Sequence, residues 1–322
     1  MNNVVCKKLG IMYPILQGPM AWASDSKLVA SVSNAGGLGM LGLGAAPPEV
    51  VREEIRRTKE LTDKPFGLNI LMFSEWLAEI SDIAIGEKVS AIAVGAMPQN
   101  FAILPEYVKK WQANGITVIG KSASVAESVA LDKAGVDFIS LKGYEGGGHI
   151  FGFTGTFALV PEVVDCVSVP VIASSGIADG RGIAAVLMLG ATAVELGSRF
   201  LLADECPIHE NYKQAIIDAK EGDTTLTGVV AHDAVRQLKN NLSEQLLKFE
   251  KELSAEEAIP KIIEIASGSL RRAAVEGEIT NTGAVVVGQI CGMLKKRQSA
   301  GEIMEELVKE YTKILKNASD LV

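Results

Sequence analysis

The sequence predicts an α/β fold: a (β/α)8 TIM barrel with a C-terminal helical cap domain. Three observations predict it. Eight short apolar runs start roughly 20 to 35 residues apart, about one βα unit each. Each run is continuously apolar rather than alternating, as strands buried on both faces by helices are. Amphipathic segments fill the intervals between them. A doubly wound open sheet shares this spacing, but eight units in about 200 residues without a long break favour closure.

The runs, in order, are Tyr13–Gly18, Leu38–Gly42, Phe66–Leu71, Ala91–Gly95, Ile116–Gly120, Val136–Ser140, Val171–Ser174 and Ala193–Gly197. Helical periodicity marks Pro48–Leu61, Pro105–Asn114 and Ser124–Ala134 between them. After Phe200 the texture changes: charges rise, strand-like runs thin out, and Leu242–Leu253 reads as a helix. These features predict a barrel over 1–210, a helical cap over 211–280, and a C-terminal helix hairpin over 281–322 that packs back on the barrel. Gly283–Lys316 supplies the two arms of that hairpin, one apolar and one amphipathic.

Composition narrows the function. Lys plus Arg is 31 against 39 Asp plus Glu, a formal net charge of -8, and the pI is near 5.1. Phosphate neutralisation needs clustered Lys and Arg, so no nucleic-acid partner is expected; Lys295-Lys296-Arg297 reads as a solvated helix end. The long apolar stretches, Gly182–Val194 and Thr282–Leu294, fall short of the ~20 residues a bilayer requires, so no membrane partner is expected either. The N-terminus has Lys7 and Lys8 but no apolar signal region. Cys6, Cys166, Cys206 and Cys291 are scattered without a CxxC pair, the usage of a reduced cytoplasmic protein.

In such barrels the chemistry sits at the C-terminal ends of the strands. Those ends present Gln17–Trp22, Asn69, Lys121, Gly143–His149, Ser174–Ile177 and Gly197–Arg199. The loops after the last two strands are where such barrels bind phosphate, because small residues let backbone N–H groups approach an anion. Ser175-Gly176 and Gly197-Ser198 supply this twice, which suits a cofactor with one phosphate. No GxGxxG opens a helix after the first strand; Gly37–Gly42 has similar letters but lies within the second strand. Three successive glycines, Gly146–Gly148, can lie flat against a ligand and place His149 at its edge. Histidine moves protons near neutral pH, and of the three in the chain His149 is the one set to face a ligand; His209 and His232 read as structural. Cys206-Pro207-Ile208-His209 has no second ligand pair, so no metal site is expected.

These residues resemble the nitronate monooxygenase (2-nitropropane dioxygenase) family, which includes the flavin-containing enoyl-ACP reductase II and a branch of NADH:quinone reductases. The resemblance covers essentially the whole chain and rests on Tyr13–Trp22, Asn34–Gly39, Leu61–Asn69, Gly143–His149, Pro170–Gly182 and Gly197–Phe200. It implies an FMN-bound barrel with a helical lid. The implied FMN contacts are Met20 and Ala21, Asn69, Lys121, Gly147 and Gly148, Ser175 and Gly176, and Gly197 and Ser198. His149 matches the catalytic histidine. Pro14–Trp22 and Gly288-Gln289-Ile290 resemble the enoyl reductase branch; Lys121 and Glu205–His209 resemble the quinone reductase and nitronate branch.

Five positions depart from the family pattern. Pro19 stands where a second Gly is usual and lacks an N–H. Ser174-Ser175-Gly176 replaces Ala-Gly-Gly, Glu195 replaces a frequent Gln, and Gly146 replaces a frequent Ala. The implied activity is oxidation of nitronates or nitroalkanes with O2. Two alternatives stand beside it: a reductase that uses NAD(P)H as co-substrate on an enoyl thioester or quinone, and a non-redox barrel that binds a phosphorylated sugar. A small-molecule substrate and a homodimer are expected, with acyl carrier protein as a partner only under the enoyl reductase reading.

Overall fold

The structure is a computed structural model that describes residues 3–44, 46–95 and 100–318. Helix α1 (Val4–Leu9) comes first, capped by the Asn3 side chain. The barrel then runs β1 (Ile15–Gln17), α2 (Ser26–Asn34), β2 (Gly39–Leu41), α3 (Pro48–Leu61), β3 (Phe66–Leu71), α4 (Leu77–Gly86), β4 (Ala91–Gly95), α5 (Leu104–Ala113), β5 (Thr117–Ser122), α6 (Val125–Ala134) and β6 (Phe138–Lys142). After a short strand β7 (Gly148–His149) it continues with α7 (Thr156–Val164), β8 (Val171–Ser174), α8 (Gly180–Met188) and β9 (Ala193–Leu196).

Eight of these strands form one parallel sheet in the order β1-β9-β8-β6-β5-β4-β3-β2. Its two edges meet: Leu16 bridges Leu38 in parallel, and Gln17 N–H donates to Leu38 O at 2.9 Å. This closure decides for the barrel over the open sheet. Leu16, Leu38, Met40, Ala91, Ala93, Ile119, Phe138, Ile172 and Ala193 fill the lumen, and Val5, Cys6 and Leu9 of α1 plug its N-terminal end. One end is therefore apolar and shut, which leaves polar chemistry to the other.

Helix starts follow local rules. Asp25 accepts from Lys27 N and Leu28 N at the head of α2, and Pro48 sits in the first turn of α3, where its missing N–H costs nothing. Ser124 caps α6, which ends on left-handed Gly135.

Beyond the barrel, α9 (Glu210–Asp218) leads to the strands β10 (Thr224–Thr227) and β11 (Val235–Leu238), then α10 (Asn241–Glu252), α11 (Ala255–Ala266) and α12 (Ser269–Glu276). Capping boxes at Asn240/Ser243 and Ser254/Glu257 start α10 and α11. The cap thus contains a sheet as well as helices: β10 pairs with β11, and β11 with β7 of the glycine loop, both antiparallel.

The predicted helix hairpin is half wrong. α13 (Ala300–Lys316) is a helix and packs on α8 and α2, but Gly283–Gly288 has no regular secondary structure and only a 3-10 turn follows at Gln289–Met293. An apolar run is equally a buried helix or a buried extended segment as far as periodicity goes. Here three consecutive valines precede Gly288, and the backbone bonds outward. Val285 O accepts from Leu238 N, Val286 O accepts from the Tyr212 hydroxyl, and Gly288 N donates to Ser198 Oγ.

Candidate active site

The open end of the lumen carries a polar layer. Gln17 on β1 is fully buried, and its amide donates to Ser24 Oγ at 2.7 Å. Lys121 on β5 bonds Ser140 Oγ on β6 at 3.0 Å and pairs with Glu195 on β9. Ser140 Oγ also donates to Glu195 Oε2 at 3.0 Å. Glu195 is 5% exposed, so its charge needs this pairing. Asn69 on β3 lies at the same level, its Nδ2 donating to Ala93 O at 3.4 Å.

Above this layer sit the loops. The segment after β1 folds back on itself, with Met20 O accepting from Ala23 N and Ser24 N; Ala21 is exposed. After β8, Ser175 and Gly176 both take left-handed backbone, φ 89 and φ 69. For serine that conformation is uncommon and marks a residue held by its surroundings. After β9, Gly197 and Ser198 open a 3-10 turn over Ser198–Leu202. β8 and β9 are neighbours, with Ser174 opposite Glu195, so the two turns lie side by side. The N–H groups of Gly176 and Ile177 donate to no described residue, and those of Ser198 and Arg199 head the 3-10 turn, where no intrahelical partner exists.

The glycine loop comes down onto both turns. A Cβ on Gly146 would meet Ser175 Oγ at 2.6 Å, and one on Gly147 would meet Val287 C at 2.6 Å. A Cβ on Gly288 would meet Glu145 O at 2.8 Å and Ser198 Oγ at 3.3 Å. The loop, the two turns and the Gly283–Gly288 segment therefore pack backbone against backbone, with no room for side chains between them. The loop is held from both ends. The Glu145 carboxylate accepts from Thr156 N at 2.9 Å and Thr156 Oγ1 at 2.9 Å, at the head of α7. Lys142 Nζ, at the end of β6, donates to Gly147 O at 2.7 Å.

His149 stands at the rim on β7, opposite Val235 of β11. Its side chain is 58% exposed, with Nε2 3.2 Å from Asp233 Oδ1. Phe151 stacks beside it, 6.1 Å between centroids and 8° between planes. Surrounding protein lowers the imidazole pKa below 6.5, and the Lys142 charge adds to this, while Asp233 opposes both. Lys142 is pushed further, down to about 8, by burial first and then by Lys121 and Arg236. Arg236 on β11 is 3% exposed; it donates to Tyr144 O at 3.2 Å and lies 4.6 Å from that ring's centroid.

All the sequence-predicted site residues lie at the C-terminal ends of the strands or on the glycine loop, with His149 held in the cap sheet. His209 caps α9 by accepting from Asn211 N at 3.1 Å. Cys206 is buried, its thiol pushed up to about 11. Among the described residues no His, Cys, Asp and Glu cluster is arranged for a metal, and no helix is long and apolar enough to cross a membrane. Sequence reasoning missed Lys142, Asp233, Arg236 and the clamping role of Glu145. Lys142 had a signal, because alternation along β6 from buried Phe138 and Ser140 turns it to the lumen.

Fold and site together define a (β/α)8 barrel enzyme with a polar mouth under a mixed α/β cap. Comparison with known proteins places it further. The nitronate monooxygenase family model matches residues 2–310, and the chain belongs to that family of oxidoreductases. It is 33% identical over 290 residues to a probable nitronate monooxygenase of Staphylococcus haemolyticus, spanning 77% of this chain and 81% of that one. The Staphylococcus aureus (strain Newman) protein of the same name is 34% identical over 289 residues, with the same shares. Among solved structures, FabK from Thermotoga maritima superposes with a TM-score of 0.91 at 38% identity, covering 100% of both chains. Nitroalkane oxidase from Streptomyces ansochromogenes gives 0.84 at 25% identity, covering 98% of this chain and 99% of that one.

Proposed function

We propose that this protein is an FMN-dependent oxidoreductase that oxidises nitronates or nitroalkanes with O2. The observation that carries the reading is the convergence at one barrel mouth of the two phosphate-type turns, the flat glycine loop and one imidazole. The residues fit the cofactor: open N–H groups and the Ser175 and Ser198 hydroxyls suit a monoester phosphate, and the glycine loop suits a flat ring. Gly176, Ser175, Gly197 and Ser198 would hold the phosphate; Met20, Ala21, Asn69, Lys121, Gly147 and Gly148 would hold the rest. When bound, FMN supplies the electron-pair chemistry that protein side chains lack.

The protein's part is orientation and one proton. Asp233 holds His149 Nε2, which leaves Nδ1 to exchange a proton. A pKa lowered below 6.5 keeps the imidazole neutral at pH 7, as a base requires. His149 would take the α proton of a neutral nitroalkane or hydrogen-bond a nitronate that is already anionic. Phe151 stacks beside the imidazole and orients it at the rim.

A second reading is favoured by the whole-chain likeness to FabK at the higher identity. Here NAD(P)H provides the electrons, an enoyl thioester or quinone receives them, and His149 donates the proton. Anaerobic mixing of the purified yellow protein separates the two. Bleaching by a nitronate and not by NADH or NADPH supports the first; rapid bleaching by a nicotinamide supports the second. A colourless protein that binds no FMN overturns both in favour of a non-redox phosphosugar barrel.

A further inference from the structure

Lys142 ends β6 and exchanges no proton in the chemistry above, although its charge helps to lower the His149 pKa. Alternation turns Phe138, Ser140 and Lys142 into the lumen; Phe138 lies in its apolar core and Ser140 bonds Glu195. Lys142 is thus one layer nearer the mouth than the Lys121–Glu195 pair. Its Nζ donates to Gly147 O at 2.7 Å, and a Cβ on Gly148 would lie 3.9 Å from it. It forms no ion pair with a described residue.

Charge is distributed unevenly here. Lys121 is neutralised by Glu195, a carboxylate at a position where the resembled family frequently has Gln. Glu145 is spent on the head of α7. Arg236 has only Thr224 Oγ1 at 3.3 Å, Tyr144 O and the Tyr144 ring, and its buried Nε has no partner among the described residues. The charged groups acting on Lys142 are therefore Lys121 on β5, Glu195 on β9 and Arg236 on β11, with Glu145 and His149 on the glycine loop and Asp233, 66% exposed, at the rim against His149. The layer of Lys121, Lys142, Arg236 and Glu195 holds three cations to one carboxylate. They leave the mouth with surplus positive charge in a partly desolvated place, where an anion is stabilised more than in water.

We propose that Lys142, rather than the neutralised Lys121, supplies the positive charge that faces the flavin ring and sets how readily the ring accepts electrons. The inference rests on the FMN reading above. A ring that takes up a hydride gains the electron pair and hydrogen that the donor loses, and so gains one negative charge. A cation beside it favours that reduced form. The burial that makes Lys142 easier to deprotonate is relieved by the same anion, so each charge stabilises the other.

The test compares FMN-loaded wild type with Lys142→Gln, Lys142→Met and Lys142→Arg. Each is equilibrated anaerobically with a reference dye at neutral pH, and each apoprotein is titrated with FMN. Gln keeps an N–H donor for Gly147 O but loses the charge; Arg keeps the charge. Both neutral variants should be harder to reduce by roughly ten- to a hundredfold in the dye equilibrium, about 30 to 60 mV for a two-electron couple. Lys142→Arg should stay within about threefold of wild type, and FMN affinity of Lys142→Gln should change as little. A wild-type dye equilibrium in Lys142→Gln overturns the inference and leaves Lys142 as a clamp on the loop. Failure of the wild-type apoprotein to bind FMN overturns instead the reading on which it rests.

Discussion

His149 Nε2 lies 3.2 Å from Asp233 Oδ1, and the two residues come from opposite sides of the seam between barrel and cap. His149 sits on β7, which the glycine loop contributes, and Asp233 on the loop that joins β10 to β11. The antiparallel pairing of Val235 with His149 and Arg236 with Gly148 fixes that juxtaposition. The imidazole therefore belongs to the cap sheet although its sequence position is in the barrel.

Asp233→Asn should lower the His149 pKa, because the carboxylate is the group that opposes burial and Lys142. Side chains 58% and 66% exposed lose much of their attraction to solvent screening, so the shift should be modest. An imidazole proton titration followed by NMR in both proteins measures it; a rise on substitution would mean that Asp233 does not act through its charge. The sign for stability follows from the same shift. The folded imidazole binds its proton below 6.5 and the unfolded one at 6.5, so stability is full above 6.5 and is lost as pH falls through the folded value.

His149→Ala should leave FMN bound, because none of the phosphate-type turns depends on the imidazole. It should slow the proton-coupled half-reaction by roughly 10²–10⁴-fold. Stopped-flow traces of flavin bleaching by a neutral nitroalkane read this directly. A preformed nitronate needs no deprotonation and should be affected less. Wild-type rates on both would remove His149 from the reaction.

The barrel was legible because eight short apolar runs recur at the spacing of one βα unit with amphipathic helices between them, a pattern in which each run supports the reading of the others. The polar positions at the mouth were legible too, since Lys121 lies at the end of β5's apolar run and Ser175 and Ser198 come within two residues of the ends of β8 and β9. Asp233 and Arg236 were not, because they reach the site only through pairing of β11 with a two-residue strand that no periodicity can reveal. Gly283–Gly288 misled for a related reason: its hydrogen bonds go to Leu238, Tyr212 and Ser198, partners distant in sequence, and the apolar letters are those of a buried helix.

Gly176→Asp should cost the cofactor. Position 176 is left-handed at φ 69, and a Cβ there would already lie 3.3 Å from Glu145 Oε1. A carboxylate there adds backbone strain, repels Glu145 and would face the phosphate of the proposed cofactor. FMN content after purification should fall to a small fraction of wild type, with far-ultraviolet circular dichroism unchanged. Full occupancy would place the phosphate elsewhere on the barrel.

Gly146 and Ser175 explain each other. Both depart from the resembled pattern, which has Ala at the first position and Gly at the second. A methyl group on Gly146 would lie 2.6 Å from Ser175 Oγ and 2.7 Å from Lys142 Cε. The lysine end can swing aside, but Ser175 Oγ is only two bonds from a backbone fixed at φ 89. Gly146→Ala should therefore destabilise by about 1–3 kcal/mol through overpacking. Ser175→Gly removes the obstructing oxygen and relieves a left-handed serine, so the double variant should recover most of the loss. Urea midpoints of the four proteins close the cycle. A coupling of about 0.5 kcal/mol or more in the restoring direction is expected for residues in contact, whereas additive costs would show that the clash lies with Lys142 alone.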